Sequence, residues 1–298
     1  MPYDPTIYRG SAPYYARGRP PYSRELVSTL TAECGLDGSG RLLDVGCGPG
    51  LLTVELAPSF DDAIGLDPDA DMLAEGARRA AEAGVDNIRW VEAVAESIPA
   101  LELGTCKLVT FGQSFQWTDR EAVAEAVYDV LEPGGTLALV VHAIEGRPEP
   151  QGPNYSPIPH DELKALVARY LGPRRRAGQG YRDDSMDRYE DALARTRFGA
   201  PRVVLAPGRP DIVRDVESVL AGYLSMSFAA PHLFGDRLDA FEADIRALLH
   251  ARSPSGLFWD WPGDTEILLA GKPAQGGSGS SGATRSQLPG SPTTFQPK

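Results

Sequence analysis

Three glycines alternate in Asp44-Val-Gly-Cys-Gly-Pro-Gly50, and a carboxylate, Asp67, ends the next apolar run at Ile64-Gly-Leu-Asp-Pro68. Missing side chains at Gly46, Gly48 and Gly50 let a backbone bend tightly and approach a ligand. A carboxylate at the end of the neighbouring strand accepts from both hydroxyls of a ribose. A dinucleotide fingerprint needs G-x-G-x-x-G and a phosphate loop needs Gly-Lys-Ser/Thr. This chain has G-x-G-x-G with Pro49 inside and no lysine after it, so a nucleoside fits better than a pyrophosphate. Asp44 stands before the glycines, where it orients the turn, accepts from a ligand amine or bonds the local backbone. The competing reading of Asp67 is a helix cap beside Pro68.

A second group follows two later apolar runs: Gln113, Gln116, Trp117, His142 and Glu145. His142 is the first candidate for a general base, because neutral imidazole takes a proton near pH 7; the bland alternative is a backbone-bonding histidine at a strand end. Gln116 cannot be a base but can orient a hydroxyl, amine or carbonyl. Asp119 reads as a helix cap. The tyrosine-rich start of the chain either closes over a pocket through Tyr14 and Tyr15 or packs on the body. Tyr223, Met226, Phe228, His232 and Phe234 are candidates for a roof above the substrate, with core packing as the alternative for Tyr223 and Met226. His160 and His250 read as structural or exposed.

The elements that must hold these groups alternate. Strands are expected at Arg41–Val45, Ala63–Leu66, Ile88–Glu92, Lys107–Phe111 and Thr136–Val141. Helices are expected at Ser23–Cys34, Leu51–Leu56, Asp69–Ala83 and Asp119–Leu131, with a turn at Pro133–Gly135. Short connections and near-continuous apolar strands mark an α/β, Rossmann-like, doubly wound sheet of about seven strands. Gly146–Pro159 reads as a loop, Asp161–Tyr170 and Tyr189–Arg195 as helices, and Arg202–Leu205 and Thr265–Ala270 as a terminal antiparallel edge pair. The helices Asp211–Ser225 and Asp236–His250 lie between those strands as an insertion forming a substrate roof. Trp90 reads as sheet core.

The 298 residues carry a net charge of -12 and are 42% hydrophobic, enough for one large domain with a sizeable core. The division read from composition is an aromatic arm at 1–22, a cofactor-binding core at 23–145, the remainder of the domain at 146–273, and a Gly/Ser-rich linker or tail at 274–298. Acidity argues against a nucleic-acid partner. Three cysteines without ligand spacing exclude a disulfide framework and point to no metal. The N-terminus lacks an apolar signal core and no run is long enough for a bilayer, so no membrane partner and a cytoplasmic location are expected.

Asp44–Gly50 resembles the first motif of class I S-adenosylmethionine-dependent methyltransferases, small-molecule (UbiE-like) branch, and Asp67 matches that family's ribose-binding acid. Val91-Glu-Ala-Val-Ala-Glu-Ser-Ile-Pro99 resembles the adenine-contacting third motif, and Phe111-Gly-Gln-Ser-Phe-Gln-Trp117 the segment after the fourth strand. Leu131-Glu-Pro-Gly-Gly135 matches the turn before strand five. The resemblance covers roughly residues 10–145 well and 264–271 loosely. It implies S-adenosylmethionine as cofactor, S-adenosylhomocysteine as product, and Gly46, Cys47, Gly48, Gly50, Asp67, Pro68, Val94, Ala95 and Phe111 as cofactor contacts, with Tyr14 and Asp44 beside them. Tyr15, Gln113, Trp117, Glu145, Tyr223 and Phe228 are the expected substrate contacts, and His142 and Gln116 the catalytic candidates. Val94 replaces an aspartate of many relatives, and Gln116 a histidine. The implied activity is methylation of oxygen or nitrogen on a small, specialised metabolite by a monomer or homodimer. The rivals are a peptide or protein methyltransferase of the same fold and a non-catalytic cofactor-binding scaffold.

Overall fold

A computed structural model describes residue 4 and residues 6–142, 151–174, 176–177, 180–181 and 187–274, without the side chains of residues 142, 177, 180 and 181. The main sheet contains β1 (Arg41–Val45), β2 (Asp62–Asp67), β3 (Ile88–Glu92), β4 (Cys106–Gly112) and β5 (Leu131–His142), and its order is completed by β12 (Thr265–Gly271) and β9 (Arg202–Ala206). Across the sheet the strands run β3-β2-β1-β4-β5-β12-β9. The first five are parallel, and β12 runs antiparallel to both β5 and β9. The expected seven-stranded sheet and its antiparallel edge pair are both present.

The apolar continuity of the strands follows from two buried faces. Leu43 and Val45 join one core cluster with Phe111, Phe115 and the α5 (Arg120–Val130) residues Val123 and Val127. Leu42 joins the other, with Leu26 and Leu30 of α2 (Arg24–Glu33) and Leu56 of α3 (Thr53–Leu56). Alternation along each strand serves both faces at once. Caps mark where the helices begin: Ser23 accepts from the Leu26 N–H, Asp69 from those of Asp71 and Met72 at α4 (Ala70–Ala83), and Asp119 from that of Ala122. Trp90 of β3 packs over the glycines at 50, 65 and 76, where an added Cβ would approach its ring to 2.6, 2.6 and 2.8 Å.

The second half forms a helical roof. Its core joins α6 (His160–Leu171), α8 (Val216–Leu224) and α9 (Leu238–Arg252) with Phe258. β10 (Ile212–Asp215) pairs antiparallel with β11 (Leu257–Asp260), which pairs parallel with β6 (Ser156–Pro157). Smaller elements are β7 (Arg176–Ala177), which pairs antiparallel with β8 (Gly180–Tyr181), and α7 (Tyr189–Ala194). The arm contributes α1 (Ala12–Gly18). At its end, Gly18 lies so close to α8 that a Cβ would sit 2.3 Å from the Ala221 carbonyl carbon.

Three expectations need correction. The stretch Asp211–Ser225 is not one helix: Ile212 and Val213 favour an extended ladder beside β11, and Asp215 caps α8 by accepting from the Ser218 N–H. The reading of 146–159 as a loop misses β6, and the residues before 151 lie outside the described region. The strand expected from Thr136 begins at Leu131, so the turn at Pro133–Gly135, present with Gly134 at φ +86°, lies inside β5, where the register against β4 slips between Cys106 and Leu108. Among the described residues no helix is long and apolar enough to cross a membrane.

Candidate functional site

A cavity of about 660 Å³ lies at the carboxyl ends of β1, β2 and β4, where a parallel sheet presents its turns. Gly46 and Gly48 form one wall, Asp67, Pro68 and Asp69 a second, Val94, Ala95 and Glu96 a third, and Phe111, Gln113 and Trp117 the fourth. Tyr8 and Tyr15 reach in from the arm. Gly46 is required by its φ of +64° and by Ser114, whose Cβ would lie 2.5 Å from an added Cβ. Gly48 has φ +52°, and an added Cβ would meet nothing within 4 Å.

Asp67 is 7% exposed, and its two oxygens accept from the backbone N–H groups of Gly48 (2.8 Å) and Asp69 (2.9 Å). Each oxygen keeps a lone pair for a ligand hydroxyl. Burial raises its pKa to about 6 against the backbone bonds that hold it down. Its capping rival fails, because Asp69 caps α4. Carboxylates, aromatic rings and apolar walls together fit a sulfonium nucleoside: the carboxylate meets the ribose, apolar surface the base, and acidic and aromatic groups the cation.

Four expected cofactor contacts do not line this cavity. Asp44 is buried beneath it, accepting from the hydroxyls of Thr53 (2.6 Å) and Thr110 (2.7 Å). It ties β1 to α3 and β4, and burial raises its pKa to about 6. Cys47 is buried facing β2, 3.1 Å from where a Cβ on Gly65 would stand. Gly50 makes room for Trp90. Tyr14 turns to the roof, where its hydroxyl donates to Glu242 at 3.4 Å. Its place is taken by Tyr8, which meets Tyr15 edge-on at 6.3 Å and Trp117 at 6.2 Å. The tyrosine-rich arm signalled such a residue, but only packing selects which one.

Tyr8, Tyr15, Gln113 and Trp117 are shared with a larger chamber of about 1420 Å³ that opens towards solvent. Gln113 has φ +61°, a strained value for a non-glycine residue, at the junction of the two spaces. Gln116 lines the larger chamber with its amide fixed: its NH2 donates to the Gln113 carbonyl (2.6 Å), and its carbonyl accepts from the Tyr189 hydroxyl (2.6 Å). The roof supplies Tyr223, Met226 and His160. Tyr223 is buried with its hydroxyl 3.1 Å from Nδ1 of His160.

His160, read as structural or exposed, is exposed, and it also lines the chamber. Desolvation of its ring lowers its pKa, which favours the neutral form. Its position at the start of α6, after Pro159, carries no pattern that would have marked it. Phe228 lies in an adjoining cavity that shares His160, Tyr223 and Met226. The backbone of His142 ends β5 opposite Thr265, while its side chain and the whole of Glu145 lie outside the described residues.

Residues 42–135 match the family described as a methyltransferase domain. The chain is 29% identical over 198 residues to the 2-heptyl-1-hydroxyquinolin-4(1H)-one methyltransferase of Mycobacteroides abscessus, covering 62% of this chain and 86% of that one. It is 34% identical to the malonyl-[acyl-carrier protein] O-methyltransferase of Enterobacter lignolyticus, over 47% of this chain and 53% of that one. A probable S-adenosylmethionine-dependent methyltransferase of Saccharomyces cerevisiae is 29% identical over 42% of this chain and 43% of its own length. The chain therefore spans about half the length of the latter two relatives. In fold it is similar to a methyltransferase from Geobacter sulfurreducens solved with S-adenosyl-L-homocysteine (TM-score 0.50, 16% identity, 91% of this chain and 99% of that one).

Proposed function

We propose that this chain, which belongs to the class I S-adenosylmethionine-dependent methyltransferases, moves a methyl group from that cofactor to an oxygen, or secondly a nitrogen, of a small specialised metabolite. The observation that carries the reading is the adjacency of the two spaces: the cavity built on Asp67 and the glycine turn and the aromatic chamber share Tyr8, Tyr15, Gln113 and Trp117 as a common wall. The relatives' names support a small acceptor, since one acts on a hydroxyquinolone.

The cofactor, when bound, supplies a methyl group made electrophilic by a sulfonium centre. The chain's contribution is mainly alignment and exclusion of water. Asp67 and the turn at Gly46–Gly48 hold the nucleoside, with Val94, Ala95 and Phe111 against the base. Tyr8, Tyr15 and Trp117 close the junction. Gln113 and Gln116 orient the acceptor. For a hydroxyl acceptor His160 takes the proton, its neutral form favoured and its Nδ1 held at Tyr223.

Calorimetric titration with S-adenosylmethionine, S-adenosylhomocysteine and NAD, repeated on Asp67→Ala, tests the reading. Micromolar-range binding of the sulfur nucleosides, lost in the variant and absent for NAD, supports it. Absence of nucleoside binding refutes it.

A further inference from the structure

A third space, of about 920 Å³, lies in the roof beside the chamber. The three spaces stand in series. The chamber shares Tyr8, Tyr15, Gln113 and Trp117 with the cofactor cavity, and His160, Tyr223 and Met226 with the third space. The cofactor cavity and the third space have no lining residue in common. The third space is therefore an outer one, beyond the chamber from the cofactor.

Its walls are mainly apolar. Val167, Ala168 and Leu171 come from α6, and Met226 and Phe228 from the chain just after α8. Its polar members are already engaged. The Tyr223 hydroxyl lies 3.1 Å from Nδ1 of His160, Lys164 lies 3.7 Å from Asp161, and Arg174 and Arg176 have partners of their own. Such a space rewards a hydrocarbon by removing apolar surface from water and makes no demand for charge. The divide between chamber and outer space reaches the surface, because His160 is exposed and Met226 only half-buried. A slender chain can cross it beside Met226, whose unbranched side chain repacks easily.

We propose that the acceptor is an elongated amphiphile: its reacting head lies in the chamber, and a hydrocarbon tail crosses beside Met226 into the outer space, against Ala168 and Phe228. The outer space then selects acceptors by tail length. The proposal rests on the methyltransferase reading in treating the chamber as the acceptor's, but tail binding is measured without turnover.

The test is calorimetry with ethyl, butyl and octyl 4-hydroxybenzoate, each below its aggregation limit, on protein saturated with S-adenosylhomocysteine and on nucleoside-free protein. Each buried methylene is worth about threefold or more in affinity, so the octyl ester is expected to bind on the order of 100-fold tighter than the butyl ester. Ala168→Phe, which fills the outer space, is expected to bring that ratio close to one and to leave the ethyl, butyl and nucleoside affinities unchanged. Ala168→Leu is expected to lower the ratio in part. Equal binding of butyl and octyl esters, no binding of any ester, or a ratio that survives Ala168→Phe each overturns the proposal. If Ala168→Phe does not fold, the wild-type ratio and Ala168→Leu still decide. Length-dependent ester binding without any nucleoside binding refutes the methyltransferase reading and leaves the outer apolar site standing. Nucleoside binding with no dependence on tail length refutes the tail alone.

Discussion

The cofactor cavity and the acceptor chamber adjoin, yet they are built by opposite means. The cavity is made largely by backbone turns at the ends of consecutive parallel strands, with one carboxylate fixed by two amide donors. The chamber is made by side chains from the arm, the segment after β4, α6, α8 and β11. Backbone geometry specifies the first narrowly, because few residues tolerate φ near +60° beside a packed strand. The second depends on how a helical roof settles on the sheet, and many side chains suit each place. The difference predicts that changes in the cavity remove cofactor binding outright, whereas changes in the chamber alter the acceptor step and leave the cofactor alone.

Gly46→Val is the strongest test. Its side chain would overlap Ser114 at a positive φ, and S-adenosylhomocysteine binding is expected to vanish by calorimetry. A variant that still bound would show that the turn is more compliant than the cavity's geometry implies. Asp67→Ala removes an acceptor for two hydroxyls and strands two backbone donors, so affinity is expected to fall on the order of 1000-fold. His160→Asn sharpens the contrast from the other side. With a hydroxyl acceptor kcat is expected to drop about 100-fold, with the pH profile of the base lost and nucleoside affinity unchanged. A parallel loss of nucleoside affinity would erase the distinction between the two regions.

A smaller effect comes from pH. Asp67 and Asp44 both have folded-state pKa values raised by burial to about 6, from an ordinary 3.8. Between those values the folded protein holds more protons than the unfolded chain. Their contribution to stability is therefore full below pH 3.8 and lost as pH rises through 6. Ligand hydroxyls favour the ionised Asp67, so nucleoside affinity runs the other way, about tenfold weaker at pH 5 than at pH 7. Calorimetry across that range checks this, and Asp67→Asn should flatten the profile. Smallest is Gly65→Ala, whose Cβ would meet Trp90 at 2.6 Å. It is expected to cost about 1–3 kcal/mol in denaturant unfolding.

Much of the first region was legible in the sequence. The apolar runs carry strand period and length, and the glycines and Asp67 sit where short connections leave no other placement. Even there, side-chain direction misled: Asp44, Cys47 and Gly50 share the motif but face the threonines, β2 and Trp90. A one-residue step along a turn reverses what a group faces, and no pattern records it. The roof was harder to read. Ile212 and Val213 belong to a ladder whose partner, Trp259 and Asp260, lies far along the chain.

By itself, then, the sequence determined the order of the strands and helices, the turn at the first strand and the carboxylate at the second, because those follow from local period, φ and spacing. Only the tertiary structure decided that Tyr8 rather than Tyr14 enters the cavity, that His160 meets Tyr223, and that Asp260 balances Arg214. These depend on contacts between segments far apart in the chain, whose energies local composition does not encode.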